Sequence, residues 1–581
     1  MNAVDKLPVK LKKDNYITDD PKFSSLDDPR EREFPLGGSI MSISRNSIGE
    51  IISDIAQKNS HRDALVYTET GDRYSYQDLT HEIDRAARGF LSHGIQSGDK
   101  IALWSPNAPE WMIAFLGLAK MGAITVPIDP AATKDNLYYI LEQSESRGLV
   151  VADSADSGVM LATASAAKSD ISLLEHIIVI NGSADTDLIS WKKLIDAGES
   201  TTLDSLTNIA DAVNPQDPVA IMYTSGTTGQ PKGVVLDHLG LINKSMVSTE
   251  RQGITANDRL CLFFPLFHMF GNTCIALAGL LRGAALIMPC RSYDPAKVLT
   301  AIPDEKCTAI YGSPSMLIAL IDNSEFAIDD WATLSKGIIG GAPCPMELMR
   351  RIVEDIGVSD ITVAYGITET SSWITMTHPG DALELRVSTI GTPLACNEVK
   401  IVDPASGQAL APDQQGELCS RGFLMKEYYK MPAATAAAVD RESWFHTGDL
   451  GVMDPAGYVK ITGRLKDVIT RNDIEIYPVE IEETIYMLPD VSEVQVFGFP
   501  DQNKGQEVAA WIKLKENSKL SIDAVAAHVR ARLPAAQHPK YYKIVSEFPM
   551  TGSGKVQKFK MALLAEEEYS EVGSGNAEGG K

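Results

Sequence analysis

No cysteine stands in the first 260 residues of this 581-residue chain, and the seven that follow, from Cys261 to Cys419, include no C-x-x-C pair. That pattern excludes a disulfide framework and a cysteine zinc knuckle. The ten histidines show no ligand spacing either, so any resident metal is expected to be a hard cation held by oxygen. Basic residues are scarce: Lys+Arg 53 against Asp+Glu 77 leaves a formal charge of -24. Such a surface repels phosphate backbones and anionic lipid, so no nucleic-acid partner is expected, and an anionic ligand must be met by local cations. Long hydrophobic runs are missing as well. Trp111 to Ala119 is stopped by Lys120 and Cys274 to Leu281 by Arg282, so no transmembrane segment is expected. The opening MNAVDKLPVKLKKDNYITDD is charged throughout and lacks the apolar core of a signal peptide, which points to a cytoplasmic protein.

What is present is the composition of a soluble globular protein, 44% hydrophobic and 22% charged, in a chain too long for a single core. Residues 1–45 are polar, proline-containing and aperiodic, and read as an arm. Over 46–465, short apolar runs such as KIALW, AITVPID, AALIM, TAIYG, KGIIG and ITVAYG alternate with helical stretches. The expected class is α/β: a large domain of helix-covered sheets whose strand-end loops are free to bind ligands. Near Gly463 the texture changes. EVQVFGF, EVAAWIKL, a helical run from Ile522 and YKIVSEF read as a small, mobile α+β domain over 466–565, followed by a flexible acidic tail at 566–581.

The segment from Tyr223 to Gly233 reads YTSGTTGQPKG. It is not the common nucleotide loop, because Pro231 stands where that pattern needs its second glycine. The chemistry still suits phosphate. Gly226 and Gly229 let backbone N–H groups turn inward, Thr224, Ser225, Thr227 and Thr228 add hydroxyls, and Lys232 adds charge. A solvated turn is the bland alternative, and eleven residues in this order favour the phosphate site. Six further segments place a polar residue among glycines: PLFHMFGN, GGAPCP, YGITET, WFHTGDL, GRLKD and TGSGK. Singly each is weak, since His268 could be a core histidine and Asp449 a turn cap.

Together and in this order, they resemble the adenylate-forming superfamily over residues 48–563, and the loop at 223–233 resembles that family's own phosphate loop. The branch is closest to the fatty-acyl-CoA synthetases through LELRVSTIGTP, GELCSRG and HTGDLGVMDPAGYVKITGR. The resemblance implies activation of a carboxylic acid by ATP to an acyl-AMP, release of pyrophosphate and transfer of the acyl group to CoA, with Mg²⁺ as the metal. It implies that Ser225, Gly226, Thr227, Thr228, Gly229 and Lys232 hold the leaving phosphates with Thr224, and that Thr224 and Glu369 hold the metal. Thr368 would bond the α-phosphate. Tyr365, Gly366 and the turn Gly341, Ala342, Pro343 would flank adenine, and Asp449 and Arg464, beside Ile461, would take the ribose. Lys555 would bridge carboxylate and α-phosphate, and His268 would sit beside the attacking acid. Lys466 marks the joint about which the small domain turns between half-reactions.

The implied acyl pocket runs from His268 past Phe270, Tyr311 and Gly312 to Trp373. These residues are apolar or small, with no lysine or arginine among them, so a medium or long aliphatic or an aromatic monoacid is expected. One departure from the family pattern stands at Asn472 and Asp473, where relatives carry loop glycines beside the CoA tunnel. Two outcomes stay open there. Asn and Asp can keep a left-handed turn, or their side chains can impair thioester formation so that acyl-AMP passes to another acceptor, including an acceptor protein. A non-catalytic adenylate-binding regulator is the alternative from a different class, and a homodimer is left open.

Overall fold

A computed structural model of the chain describes residues 33–36, 39–152, 158–180, 188–224, 230–472, 474–501, 504–550 and 556–574. Strands such as Ile124–Ile128 and Gly148–Ala152 are buried at every position. Uninterrupted apolar strands of this kind need cover on both faces, the condition of a parallel sheet packed between helices. One sheet orders Glu427–Tyr428, Lys232–Asp237, Pro218–Thr224, Ile124–Ile128, Lys100–Trp104, Gly148–Ala152, His176–Ile180 and Ile189–Ser190. A second runs in parallel from Asp63–Tyr67 through Ala285–Met288, Arg259–Cys261, Ala309–Gly312 and Lys336–Gly340 to Asp360–Ile367.

The largest core joins side chains of both sheets to the helices Tyr76–Ser92, Pro109–Lys120 and His238–Gln252. Local signals start these helices. Ser75 and Asp78 form a capping box at the first, and a proline opens the second. Among the described residues no helix is long and apolar enough to cross a membrane.

The second sheet sets the geometry of the site. Its parallel register puts Gly312 beside Ile339 and Gly340 beside Ala364, so the carboxyl ends of these strands open on one edge. There the chain doubles back: Asp360–Ile367 is followed by a single turn, Thr368–Thr370, and by the antiparallel strand Ser372–Met376. Gly366 is required at the reversal, because a Cβ there would stand 2.3 Å from the Ser372 carbonyl oxygen.

A four-stranded antiparallel sheet follows, Glu398–Val402, Gly416–Arg421, Phe445–Met453 and Val459–Arg464. The turn Leu465–Asp467 leads from it into a small C-terminal α+β unit, in which Gly505–Leu514 pairs with Val491–Asp501, Ile469–Arg471 and Tyr541–Ile544. That unit has its own cores, around Val494, Val508 and Val525 on one side and Phe497, Trp511 and Phe548 on the other. The architecture is the large α/β domain and small α+β domain expected from sequence.

Two local readings change. Residues 33–36 and 39–42 pair as strands within the stretch expected to be an aperiodic arm. A helix, Lys558–Ser574, runs past Glu566, where the tail was expected to begin. Met561 and Ala565 are buried against the C-terminal core, and Tyr569 stacks on Tyr541 with ring centroids 4.1 Å apart, contacts that composition alone does not reveal.

Candidate active site

Asp449 is aimed by a slip in strand pairing. Cys419 lies opposite His446 while Glu417 lies opposite Leu450, so 447–449 bulge out of the ladder. Glu417 braces the bulge from beneath. One carboxylate oxygen accepts from Gly448 N at 3.0 Å, and the other lies 2.7 Å from His446 Nδ1. Thr447 Oγ1 donates to the Leu418 carbonyl at 2.7 Å and accepts from Asp449 N at 3.0 Å. The Asp449 side chain, with the residue 3% exposed, then meets Tyr365 Oη at 2.5 Å and Arg464 Nε at 2.8 Å. Burial and the Asp449 charge raise the Tyr365 pKa well above its ordinary value, so this hydroxyl stays protonated and donates. Ile461 and Tyr365 pack against the same small apolar cluster.

A second group gathers around Glu369. The hairpin of Pro218–Thr224 and Lys232–Asp237 puts Thr224 directly opposite Lys232. The loop between them holds Ser225, Gly226, Thr227, Thr228 and Gly229, which lie outside the described residues. Lys232 Nζ sits 4.2 Å above the ring centroid of Tyr428, and Tyr428 Oη donates to Glu369 Oε1 at 2.8 Å. Met425 N donates to the Glu369 carbonyl at 2.7 Å. Tyr428 therefore ties the loop-bearing hairpin to the turn that carries Thr368 and Glu369. Sequence reasoning missed it. Its only signal was the pair of tyrosines after GELCSRG, which gains meaning once Glu427–Tyr428 pairs with the edge of the Lys232 strand. The Thr224 hydroxyl and the Glu369 carboxylate are hard oxygen donors, a set that fits Mg²⁺ and not a thiophilic metal.

The third group surrounds His268. Its Nδ1 accepts from Phe270 N at 3.1 Å, so a neutral ring presents Nε2–H. Phe264 and Phe270 lie with ring centroids 4.5 Å apart, and Phe270 meets Trp373 edge-on at 4.9 Å. Trp373 in turn lies over Gly340, where a Cβ would stand 2.9 Å from the indole. Tyr311 is buried in the same core, and Gly312 ends its strand. Behind Trp373 lies Lys244, a buried lysine from His238–Gln252 whose Nζ donates to the Trp373 carbonyl at 3.2 Å. No motif pointed to it.

Gly341, Ala342 and Pro343 form an exposed turn at the end of Lys336–Gly340, with Gly341 at φ +86°. Lys466 occupies the turn Leu465–Asp467. Asn472 has φ 53°, in the left-handed region, and follows the strand Ile469–Arg471. Asp473 and Lys555 lie outside the described residues.

The family model for AMP-binding enzymes matches residues 52–429, and that for the AMP-binding enzyme C-terminal domain matches 480–555. The chain belongs to the AMP-binding enzyme family. It is an adenylate-forming enzyme, close to the acyl-CoA synthetases. YngI of Bacillus subtilis (strain 168), provisionally named an acyl-CoA synthetase, is 38% identical over 530 residues, 89% of this chain and 96% of that protein. The mitochondrial medium-chain acyl-CoA ligase ACSF2 of Homo sapiens is 33% identical over 538 residues, 89% of this chain and 87% of that protein. Among solved structures, a Mycobacterium tuberculosis fatty acyl CoA synthetase aligns with TM-score 0.68 at 29% identity, covering 90% of this chain and 99% of that one. ATP-bound MatB from Rhodopseudomonas palustris aligns with TM-score 0.78 at 25% identity, covering 90% and 99%.

Proposed function

We propose that the enzyme activates a carboxylic acid with ATP to an acyl-AMP, releases pyrophosphate, and transfers the acyl group to CoA. The observation that carries this reading is the convergence on one sheet edge of a braced carboxylate, Asp449, with a second carboxylate, Glu369, that Tyr428 ties to the phosphate-loop hairpin.

Acid and ATP are both anions, so the site must neutralise charge before a bond can form, and preorganised donors do this best. Asp449 accepts from the ribose hydroxyls, with Arg464 and Tyr365 fixing its two oxygens. Tyr365, Gly366 and the Gly341–Pro343 turn take adenine, beside Ile461. Thr368 bonds the α-phosphate, and Thr224, the 225–229 loop and Lys232 hold the departing pyrophosphate. Thr224 and Glu369 hold Mg²⁺, which when bound supplies charge neutralisation at the phosphates. The Nε2–H of His268 lies beside the attacking carboxylate, and Lys555 bridges that carboxylate and the α-phosphate. The acyl stem, aliphatic or aromatic and of medium or longer length, extends between Phe270, Tyr311, Gly312 and Trp373. For the second half-reaction, the small domain turns about Lys466 and brings residues 467–476, with Asn472 and Asp473, to the pantetheine path. We place the domain boundary there, between residues 465 and 466.

The test is pyrophosphate release with ATP, Mg²⁺ and a panel of acids, followed by thioester formation on adding CoA. Acid-dependent pyrophosphate release is expected. ATP binding without release under any acid would favour a non-catalytic adenylate binder instead. Acyl-AMP without thioester would favour another acceptor.

A further inference from the structure

Strand pairing gathers a second set of ligand atoms beneath the Asp449 bulge. Glu417 and Cys419 stand two residues apart on Gly416–Arg421 and share a face, and Cys419 pairs directly with His446 on Phe445–Met453. His446 Nδ1 lies 2.7 Å from Glu417 Oε2 and 3.5 Å from Cys419 Sγ. Among the described residues this is the one group of three metal-binding side chains whose ligand atoms all lie within 4.8 Å of one another. Without an ion the set is mismatched. If Nδ1 carries the ring proton, it serves Glu417 and is closed to the thiol as an acceptor; if Nδ1 is bare, its lone pair faces that of Glu417 across 2.7 Å. On the far side of the ring, Nε2 lies 3.6 Å from Asp440 Oδ2, while Asp440 Oδ1 accepts from the backbone N–H groups of Glu442 and Trp444. The surroundings favour a cation. Arg421 pairs with Glu398 at 2.6 Å and lies with Lys400 over the Trp444 ring, so three carboxylates, Glu398, Glu417 and Asp440, stand against two basic groups.

A tetrahedral Zn²⁺ holds nitrogen and oxygen at about 2.0–2.1 Å and thiolate sulfur at about 2.3 Å, which sets sulfur and nitrogen about 3.6 Å apart and nitrogen and oxygen about 3.3 Å apart. Sulfur and ring nitrogen already stand near that separation, and the Glu417 oxygen has to withdraw by about 0.6 Å. We propose that Glu417 Oε2, Cys419 Sγ and His446 Nδ1 form a site for a borderline-soft divalent cation, Zn²⁺, distinct from the Mg²⁺ position at Thr224 and Glu369. Burial pushes the Cys419 thiol up to about 12, so the metal-free thiol is protonated and the ion takes the place of that proton, which leaves to solvent. The sulfur–metal bond replaces the S–H bond, with no change of oxidation state. The ring proton sits on Nε2, where Asp440 accepts it and fixes the tautomer. One thiolate and one carboxylate neutralise the ion. The His446 side chain is 29% exposed, which leaves a path inward for the ion. Bound there, it links the two strands immediately before residues 447–449, which carry Asp449. Linear spacing hides the site, because Cys419 and His446 are 27 residues apart in the chain.

The experiment uses the full chain stripped of metal by a chelator and dialysed. Co²⁺ serves as the visible probe, and Zn²⁺ affinity is read by competition with a chromophoric chelator. One Co²⁺ per chain is expected, with a thiolate-to-cobalt charge-transfer absorption that an equivalent of Zn²⁺ bleaches and an equal concentration of Mg²⁺ leaves unchanged. Cys419→Ala is expected to abolish that absorption and to weaken Zn²⁺ binding by at least about 100-fold. Asp440→Asn keeps the three ligands and the Oδ1 contacts, and is expected to keep the absorption and weaken binding by about tenfold. Should Cys419→Ala be insoluble, Cys419→Ser removes the same thiolate and is read in the same way. No thiolate absorption in the native chain, the same absorption in either Cys419 variant, or displacement of Co²⁺ by equimolar Mg²⁺ would each overturn the proposal. Acid activation is read separately, from pyrophosphate release, and stands or falls independently of these outcomes.

Discussion

Replacing Tyr365 by phenylalanine removes one oxygen and tests how the ribose carboxylate is held. Asp449 is 3% exposed, and one of its oxygens accepts from Tyr365 at 2.5 Å while the other meets Arg464 at 2.8 Å. Two opposite effects are conceivable. The hydroxyl could occupy the position a ribose hydroxyl needs, in which case its loss would tighten ATP. Alternatively it fixes the carboxylate and leaves room for the ribose, in which case its loss loosens ATP. Counting lone pairs decides between them. Two carboxylate oxygens offer about four acceptor positions, enough for Tyr365, Arg464 and both ribose hydroxyls together. A hydrogen bond to a charged group is worth about 1.5 to 3 kcal/mol, and not all of it bears on the nucleotide. The expected rise in KM for ATP is therefore about 10-fold and at most about 150-fold. The assay is the ATP dependence of pyrophosphate release at saturating acid, with equilibrium ATP binding measured alongside. Arg464→Lys, which loses the Nε donor, should act through the same carboxylate, so the double variant should fall short of the sum of the singles. Unchanged or tighter ATP binding in Tyr365→Phe would refute the reasoning and make the hydroxyl a competitor of the ribose.

Three further outcomes are expected. Lys555→Ala should lower acyl-AMP formation by about 100- to 1000-fold while thioester formation from supplied acyl-AMP survives; equal loss in both half-reactions would count against a small domain that turns between them. Glu369→Ala should raise the Mg²⁺ concentration needed for half-maximal rate, and Tyr428→Phe should do so more weakly, because it removes only the 2.8 Å hydrogen bond that aims the carboxylate; a Mg²⁺ titration that is the same in all three proteins would take Glu369 out of the metal role. The Asn472→Gly, Asp473→Gly double variant should make thioester no faster than the native chain, since Asn472 already adopts the left-handed conformation that glycine would supply; a faster second half-reaction with unchanged adenylation would mean that the side chains obstruct CoA.

Glycine-rich turns were legible without coordinates because their function is local. Gly366 permits a close approach of the Ser372 carbonyl that any Cβ would block, and that constraint is written where it acts. The same holds for Asp449 and Glu369, each embedded in a short run with little freedom to vary its geometry. The class of the fold was legible for a related reason: apolar runs of strand length alternating with helical stretches leave few ways to bury them all. The extent of the terminal helix was not, since Met561, Ala565 and Tyr569 are held by a core assembled from residues far earlier in the chain.

Sequence by itself therefore determined the family and the class of the fold. Tertiary structure decided what holds the residues of the motifs and what lies behind them. Glu417 and His446 brace the Asp449 bulge only because a slip in strand register brings them under it. Tyr428 reaches Glu369 only because a two-residue strand adds to the edge of the hairpin of Pro218–Thr224 and Lys232–Asp237. Lys244 stands behind Trp373 across 129 residues of chain, a contact made by packing a helix on a strand. A motif records the residues whose local backbone is constrained. It does not record a side chain that matters through a neighbour from another element, because the separation along the chain carries no trace of the distance in space.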